Sequence, residues 1–191
     1  VTVVSEFNYP EQFEDISYGA SARVLSQIVV PEYTPAKWIV PGSELSGWNG
    51  LNFDDGAWSS GATGVGYDTS RDYTPYIDDN SNILEQMRNV NGSVYIRIPF
   101  QVASPNNVAA LVLRMRYDDG FFAWINGRPV ASSRSPEVPA WNSMATNFHS
   151  DSVTTIPEQF SASEGIPALV TGENILAIQG MNWTLDSSDL L

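Results

Sequence analysis

Apolar and polar residues alternate with a period of two along several stretches of the chain, the pattern of strands buried on at least one face. Residues 93–102 put Val94, Ile96, Ile98 and Phe100 on one side and Tyr95 and Arg97 on the other. Between 109 and 117, Leu111, Leu113, Met115 and Tyr117 share a face, with Arg114 and Arg116 opposite. Phe121, Ala123 and Ile125 then alternate with Phe122, Trp124 and Asn126. Asn126-Gly127 predicts a two-residue type I′ hairpin, which needs positive φ at both central positions. Asp118-Asp119-Gly120 predicts a second turn, with Gly120 taking a left-handed position. The strands from 109 to 131 therefore read as a meander. Pro99 predicts an edge or a bulge in the 93–102 strand, because proline cannot donate to the ladder. A last strand is expected over 173–182, with a further one beginning near Phe160. About eight strands in all predict an all-β fold, a β-sandwich of two packed antiparallel sheets.

The rest of the chain is less regular. Residues 1–35, broken by Pro10, Pro31 and Pro35, read as an extended arm or linker remnant, with a strand allowed over Val24–Val30. The domain proper is expected over 36–191. Asp54-Asp55 before Gly56-Ala57-Trp58 suits an acidic turn capping a short helical turn that folds Trp58 onto the core. The alternative is calcium at Asp54 or Asp55. Gly61, Gly64 and Gly66 lack the spacing and the lysine of a phosphate loop. Residues 67–76, polar and aromatic without periodicity, predict an exposed loop. Asn82 is placed to cap a short helix carrying Ile83, Leu84 and Met87 inward, with Glu85 reaching back as in a capping box.

Composition narrows the partners. Of 191 residues 42% are hydrophobic and 12% aromatic, enough to build a core. The net charge of −13 opposes binding to phosphate backbones, which excludes nucleic acid as the main partner and disfavours acidic polysaccharides. There are no cysteines, so disulfides, thiolate metal sites and cysteine nucleophiles are absent. No apolar run reaches the length of a membrane helix, so no membrane partner is expected. The chain begins at Val1 without a basic, apolar leader and ends in strand-like Leu190-Leu191, which predicts a piece of a larger protein, joined to neighbouring domains.

Candidate chemistry points to binding. The single histidine, His149, stands in no serine elbow, and one histidine without cysteine does not make a transition-metal site. Two carboxylates suffice for a glycosidase, and 22 acidic residues leave that reading open. Most of these acids fall in turns. Asp78, Asn80 and Asn82 offer oxygen atoms at alternate positions, like the first half of an EF-hand loop, and are the candidate calcium ligands. The pattern then fails, with Ile83 where glycine is needed and Asn89 where the bidentate glutamate belongs, which favours the capping role. Sugars are met by exposed aromatic planes together with planar hydrogen-bonding side chains. Irregular segments here supply Tyr73, Tyr76, Arg134, Trp141, Asn142, His149, Asn182 and Trp183. Trp38, Trp58 and Trp124 stand at patterned positions and are expected in the core; Trp48 can serve either role.

Four stretches carry a resemblance. YDDGFFAWINGRPVA (117–131) and GENILAIQGMN (172–182) resemble, in order and separation, the heart and closing strand of galactose-binding-like jelly rolls. Phe53-Asp54-Asp55-Gly56-Ala57-Trp58 is similar to an early part of the same fold. Trp141-Asn142-Ser143, Ala145-Thr146, His149 and Asp151 resemble a stretch in sandwich domains of large secreted proteins from polysaccharide-degrading bacteria. The resemblance covers residues 36–191. It implies a non-catalytic carbohydrate-binding module that targets a neutral polysaccharide or oligosaccharide for an attached enzyme, with a structural calcium ion. A spacer or protein-docking module is the alternative, and a glycoside hydrolase or lyase the third reading.

Overall fold

The structure is a computed structural model that describes residues 25–191. The arm expected over 1–35 falls largely outside the described residues, and no strand forms over residues 25–30. Ten strands follow: β1 (Pro35–Ile39), β2 (Ser59–Ala62), β3 (Tyr67–Asp68), β4 (Ser93–Val102), β5 (Val112–Met115), β6 (Gly120–Ile125), β7 (Arg128–Ser133), β8 (Glu158–Ser161), β9 (Gly172–Met181) and β10 (Asp189–Leu190). Two single-turn helices, α1 (Leu84–Met87) and α2 (Asp151–Thr154), lie between them. The chain is mostly β. Six strands form one antiparallel sheet in the order β2-β1-β4-β9-β6-β7, and β3–β10 and β5–β8 form two separate antiparallel pairs.

The alternation read from the sequence decides which face each side chain takes. On one face of the large sheet Ile98, Phe100, Phe121, Ala123, Ile125, Leu176 and Ile178 pack with Leu111, Leu113, Met115 and Phe160 of the β5–β8 pair. On the other, Tyr95, Trp124, Ile175 and Ala177 pack with Trp48, Trp58, Leu51 and Phe53 from the irregular segment between β1 and β2. The large sheet is thus covered on both sides, which is why Trp48 is buried along with Trp38, Trp58 and Trp124. Trp48 stacks on Tyr95 with ring centroids 3.8 Å apart.

Several local expectations are corrected. Residues 109–131 are not a meander: β5 pairs with β8, and only β6 and β7 form a hairpin. That hairpin has the predicted turn, with Asn126 at φ 50° and Gly127 at φ 87°. Gly120 is not left-handed. It is needed for close approach, since a Cβ there would stand 2.8 Å from the Arg134 carbonyl oxygen and 3.0 Å from the Ala145 Cβ. Pro99 lies in an internal strand, past the residues of β4 that pair with β1, so the missing N–H breaks no ladder bond there. The strand expected over 173–182 forms as β9, between β4 and β6, but it is not the last: β10 follows it. Residues 67–76 are exposed at 69–72, 74 and 75, but their first and central tyrosines are not. Tyr67 and Tyr73 are fully buried, and Asp68 folds the polar turn by accepting N–H bonds from Ser70, Arg71 and Tyr73.

The outer face of β4 carries a buried charge. Arg97 is 2% exposed, and its guanidinium bonds the Asp55 carboxylate at 2.7 Å and the carbonyls of Trp48, Gly50 and Phe53. Lys37 meets the other Asp55 oxygen at 2.7 Å. The acidic turn at Asp54-Asp55 therefore clamps the 48–55 segment onto the sheet: Asp54 bonds the Gly56 N–H, Asp55 bonds the two cations, and the Trp58 N–H closes a single turn on the Asp55 carbonyl at 3.0 Å. Asp55→Ala would leave the guanidinium buried without its counter-charge. It is expected to cost about 3 kcal/mol, read as a lower urea midpoint at unchanged m-value.

Candidate functional site

Asp118 and Asp119 sit immediately before β6, at the end of the large sheet where Gly120 pairs with Met181, the last residue of β9. Pairing brings the loop after β9 alongside this turn. The Asp119 N–H donates to the Met181 carbonyl at 3.2 Å, and the Asp118 N–H to the Leu191 carbonyl at 3.1 Å. The Asp119 side chain, 6% exposed, is satisfied by backbone: Oδ1 accepts from the His149 N–H at 2.9 Å and Oδ2 from the Trp183 N–H at 2.7 Å. One carboxylate thus ties the 145–149 and 182–184 loops together. The Ala145 N–H reinforces them with a 2.8 Å bond to the Asn182 carbonyl.

On the outside of this knot Phe148 and Trp183 are 53% and 48% exposed, with ring centroids 5.5 Å apart at 48°. Beneath it lies a polar interior. His149 is buried and stacks on Tyr117 at 4.4 Å; its Nδ1 donates to the Tyr117 carbonyl at 2.9 Å, and its Nε2 lies 3.1 Å from Glu158 Oε1. The Tyr117 hydroxyl meets Ser133 Oγ, Glu158 Oε2 and the Arg134 guanidinium. Both nitrogens of the histidine are spent on these partners, and neither activates a serine.

Asp118 faces away from Asp119's partners, toward β10 and α2. It brings a carboxylate oxygen together with one each from Asp151 and Asp189, all three within 4.8 Å of one another. Asp118 and Asp189 are buried and Asp151 is exposed. Asp189 accepts from the Ser187 and Ser188 hydroxyls, whereas Asp118 Oδ1 has no hydrogen-bond partner. Burial pushes the Asp118 carboxyl well above the usual carboxylate range, and Asp119 and Asp189 push it further. Asp189 is raised first by burial and then by Asp151. Burial also raises the Tyr73 phenol beside them. These three acids could hold a hard cation.

The residues chosen from sequence for sugar binding are thus divided. Tyr73, His149, Asn182 and Trp183 gather around the Asp118–Asp119 turn, yet only Trp183 reaches the surface; Tyr73 is fully buried beside Asp118, and Asn182 is fully buried with its amide donating to the Tyr67 hydroxyl. Arg134 bonds Tyr117 nearby. Trp141 is half-buried against the Trp48 and Trp124 cluster, and Asn142 is exposed next to it. Tyr76 stands apart under the Arg116 guanidinium, 4.6 Å from its ring. Of the candidate calcium ligands, Asp78 accepts from the Asn80 N–H and the Ser81 hydroxyl, and Asn82 accepts from the Leu84 N–H, so both make local turn bonds. Asp118, Asp119 and Asp189 were missed as site residues because acids in turns are ordinarily solvated. For Asp118 and Asp119 the available signal was their placement between buried Tyr117 and buried β6.

A separate groove of about 400 Å³ runs between the 44–49 and 129–139 segments, floored by Phe122 and Trp124 and rimmed by Glu44, Asn49, Glu137 and Gln179.

No protein-family model and no curated protein matches the chain. Some solved structures do. The chain is similar to β-glucuronidases. A calcium-binding mutant of Bacteroides uniformis β-glucuronidase 2 aligns at 17% identity and a TM-score of 0.47, over 81% of this chain and 14% of that one. Bifidobacterium dentium β-glucuronidase, complexed with coumarin-3-O-glucuronide, aligns at 18% and 0.48, over 81% and 20%. A glycosyl hydrolase family 2 member from Bacteroides cellulosilyticus aligns at 12% and 0.44, over 78% and 17%. The chain spans a fifth or less of the length of each, and similarity at this level speaks to neither substrate nor reaction.

The raised acids set a pH dependence. The unfolded chain releases these protons near pH 4, whereas the folded protein holds them to higher pH, so stability falls as pH rises between the two. The depressed carboxyls act lower: the contributions of Asp55 and Asp68 disappear only as pH drops through about 4 and below. In chelator, the protein is expected to gain roughly 1 kcal/mol or more on going from pH 8 to pH 5. Asp118→Asn is expected to flatten that slope, measured by urea denaturation at each pH.

Proposed function

We propose that this chain is a non-catalytic carbohydrate-binding module, a galactose-binding-like jelly-roll sandwich carried by a larger secreted protein, and that it takes neutral saccharides. The observation that carries this reading is the Phe148–Trp183 pair. Five of the six tryptophans are buried or half-buried, and the one that is open is held in place from behind by a buried carboxylate. A fixed, exposed indole offers a flat apolar plane to the C–H face of a sugar ring without a large ordering cost on binding. The acidic balance of the chain suits an uncharged ligand better than an anionic one. In the sandwich reading, β5–β8 supplies the second layer against the six-stranded sheet, and the site lies at one end of the layers, among the loops.

A docking module is the second reading. Met144 and Leu185, exposed on the same two loops as Phe148 and Trp183, extend the apolar surface, and such a surface also suits contact with a neighbouring domain. The spacer reading that placed an interface on the N-terminal arm concerns residues mostly outside those described.

Affinity electrophoresis through a panel of neutral plant and algal polysaccharides tests the first reading. Retardation by at least one is expected, with Trp183→Ala weakening it about tenfold or more at unchanged melting temperature. Phe122→Ala in the separate groove is expected to leave it intact. Folded protein that no glycan retards would decide for docking.

A further inference from the structure

We propose that Asp118, Asp151 and Asp189 form a binding site for a divalent cation, and that the cation is calcium. The site is distinct from the aromatic surface, and the inference stands whether or not a sugar binds there.

The three carboxylates come from the turn before β6, the start of α2 and β10. They are held together by the tertiary structure alone, yet each contributes an oxygen within 4.8 Å of the others. Two of the three residues are more than nine-tenths buried. Among the described residues, no basic side chain lies within ion-pair distance of any of them. Like charges gathered out of water without a counter-charge repel strongly, and a cation among them adds attraction to each carboxylate that offsets that repulsion.

Unpartnered atoms supply an independent observation. Asp118 Oδ1 makes no hydrogen bond although its residue is 2% exposed. The Tyr73 hydroxyl, on a fully buried ring, lies against Asp118 and within electrostatic reach of Asp151 and Asp189, and it too is unpartnered. Buried polar atoms are normally satisfied, and an orphan oxygen among carboxylates is what a metal ligand looks like without its metal. With an ion bound, Asp118 is held ionised and becomes a strong acceptor for the Tyr73 O–H beside it.

The donors select the metal. All are oxygen atoms, with no sulfur and no imidazole, which suits a hard ion. Calcium–oxygen bonds of about 2.3–2.6 Å put ligands on opposite sides of the ion roughly 4.6–5.2 Å apart, and calcium accepts irregular, partly hydrated coordination. Magnesium requires a tighter octahedron at about 2.0–2.1 Å. Exposed Asp151 provides an entry path and a side open to water. The bound ion would link β10 and α2 to the turn whose second residue, Asp119, holds the Trp183 and His149 loops.

The test uses the full chain stripped with EDTA, then titrated with calcium or magnesium and followed by calorimetry and thermal melting. Calcium is expected to bind and to raise the melting temperature by several degrees, with a much weaker response to magnesium. Asp151→Ala, at an exposed position, should weaken calcium binding about tenfold or more. Asp118→Asn should abolish the calcium response while raising the melting temperature of the stripped protein, because it removes the buried charge. Asp78→Ala should leave the response unchanged. A folded parent protein unmoved by about 10 mM calcium, beyond the weakest range of protein calcium sites, would overturn the proposal, as would binding that both Asp151→Ala and Asp118→Asn leave intact. An equal response to magnesium would overturn the assignment to calcium.

Discussion

Placing carboxylates out of water at the end of the large sheet is the constraint around which this molecule is arranged. A buried carboxylate needs hydrogen-bond donors, a counter-charge or a proton. Asp119 takes the first route, accepting one backbone N–H from each of two loops, and in doing so it fixes where His149 and Trp183 stand. Asp118 lacks an equivalent solution, and two serine hydroxyls do not offset the burial of Asp189, so burial and the neighbouring acids drive both toward the protonated form. Adjacent residues in one turn therefore serve opposite purposes: one holds the loops rigid, the other faces a site that asks for a cation.

Arg97 shows the same physics solved completely. Its guanidinium is as deeply buried as Asp118, but it meets Asp55 and three carbonyl groups, and the irregular 48–55 segment folds over the sheet because those partners are there. That segment, with Trp48 and Trp58, keeps water off one face of the sheet while β5–β8 covers the other. A sheet sealed on both faces leaves its ends as the places where loops reach solvent. The Asp118–Asp119 turn, the Phe148–Trp183 pair and the His149–Glu158 network all belong to one such end.

The proposed cation and sugar sites therefore share a support. The covalent link between Asp118 and Asp119 means that whatever orders the acid cluster also steadies the loops that carry the open indole. Such coupling needs no conformational switch; it follows from two neighbouring residues facing opposite ways across one turn.

The local rules were legible in the amino-acid sequence. Period-two alternation assigned Ile98, Phe100, Phe121, Ala123 and Ile125 to one face and Tyr95, Arg97 and Trp124 to the other, since side-chain direction along a strand follows from backbone geometry alone. Asn126-Gly127 announced its hairpin because few residues accept positive φ twice in succession. Asn82 accepts the Leu84 N–H just ahead of α1, but Ile83 takes the cap position and the expected return bond from Glu85 does not form. Only the tertiary structure decided that β5 leaves β6 for β8, that Tyr73 and His149 turn inward, and that Asp118, Asp151 and Asp189 meet. Those outcomes depend on which strands pair and which loops stack, contacts between residues far apart in the chain. An aspartate in a turn looks the same from sequence whether water, a backbone N–H or an ion will satisfy it; burial makes the difference, and burial is a property of the assembled chain.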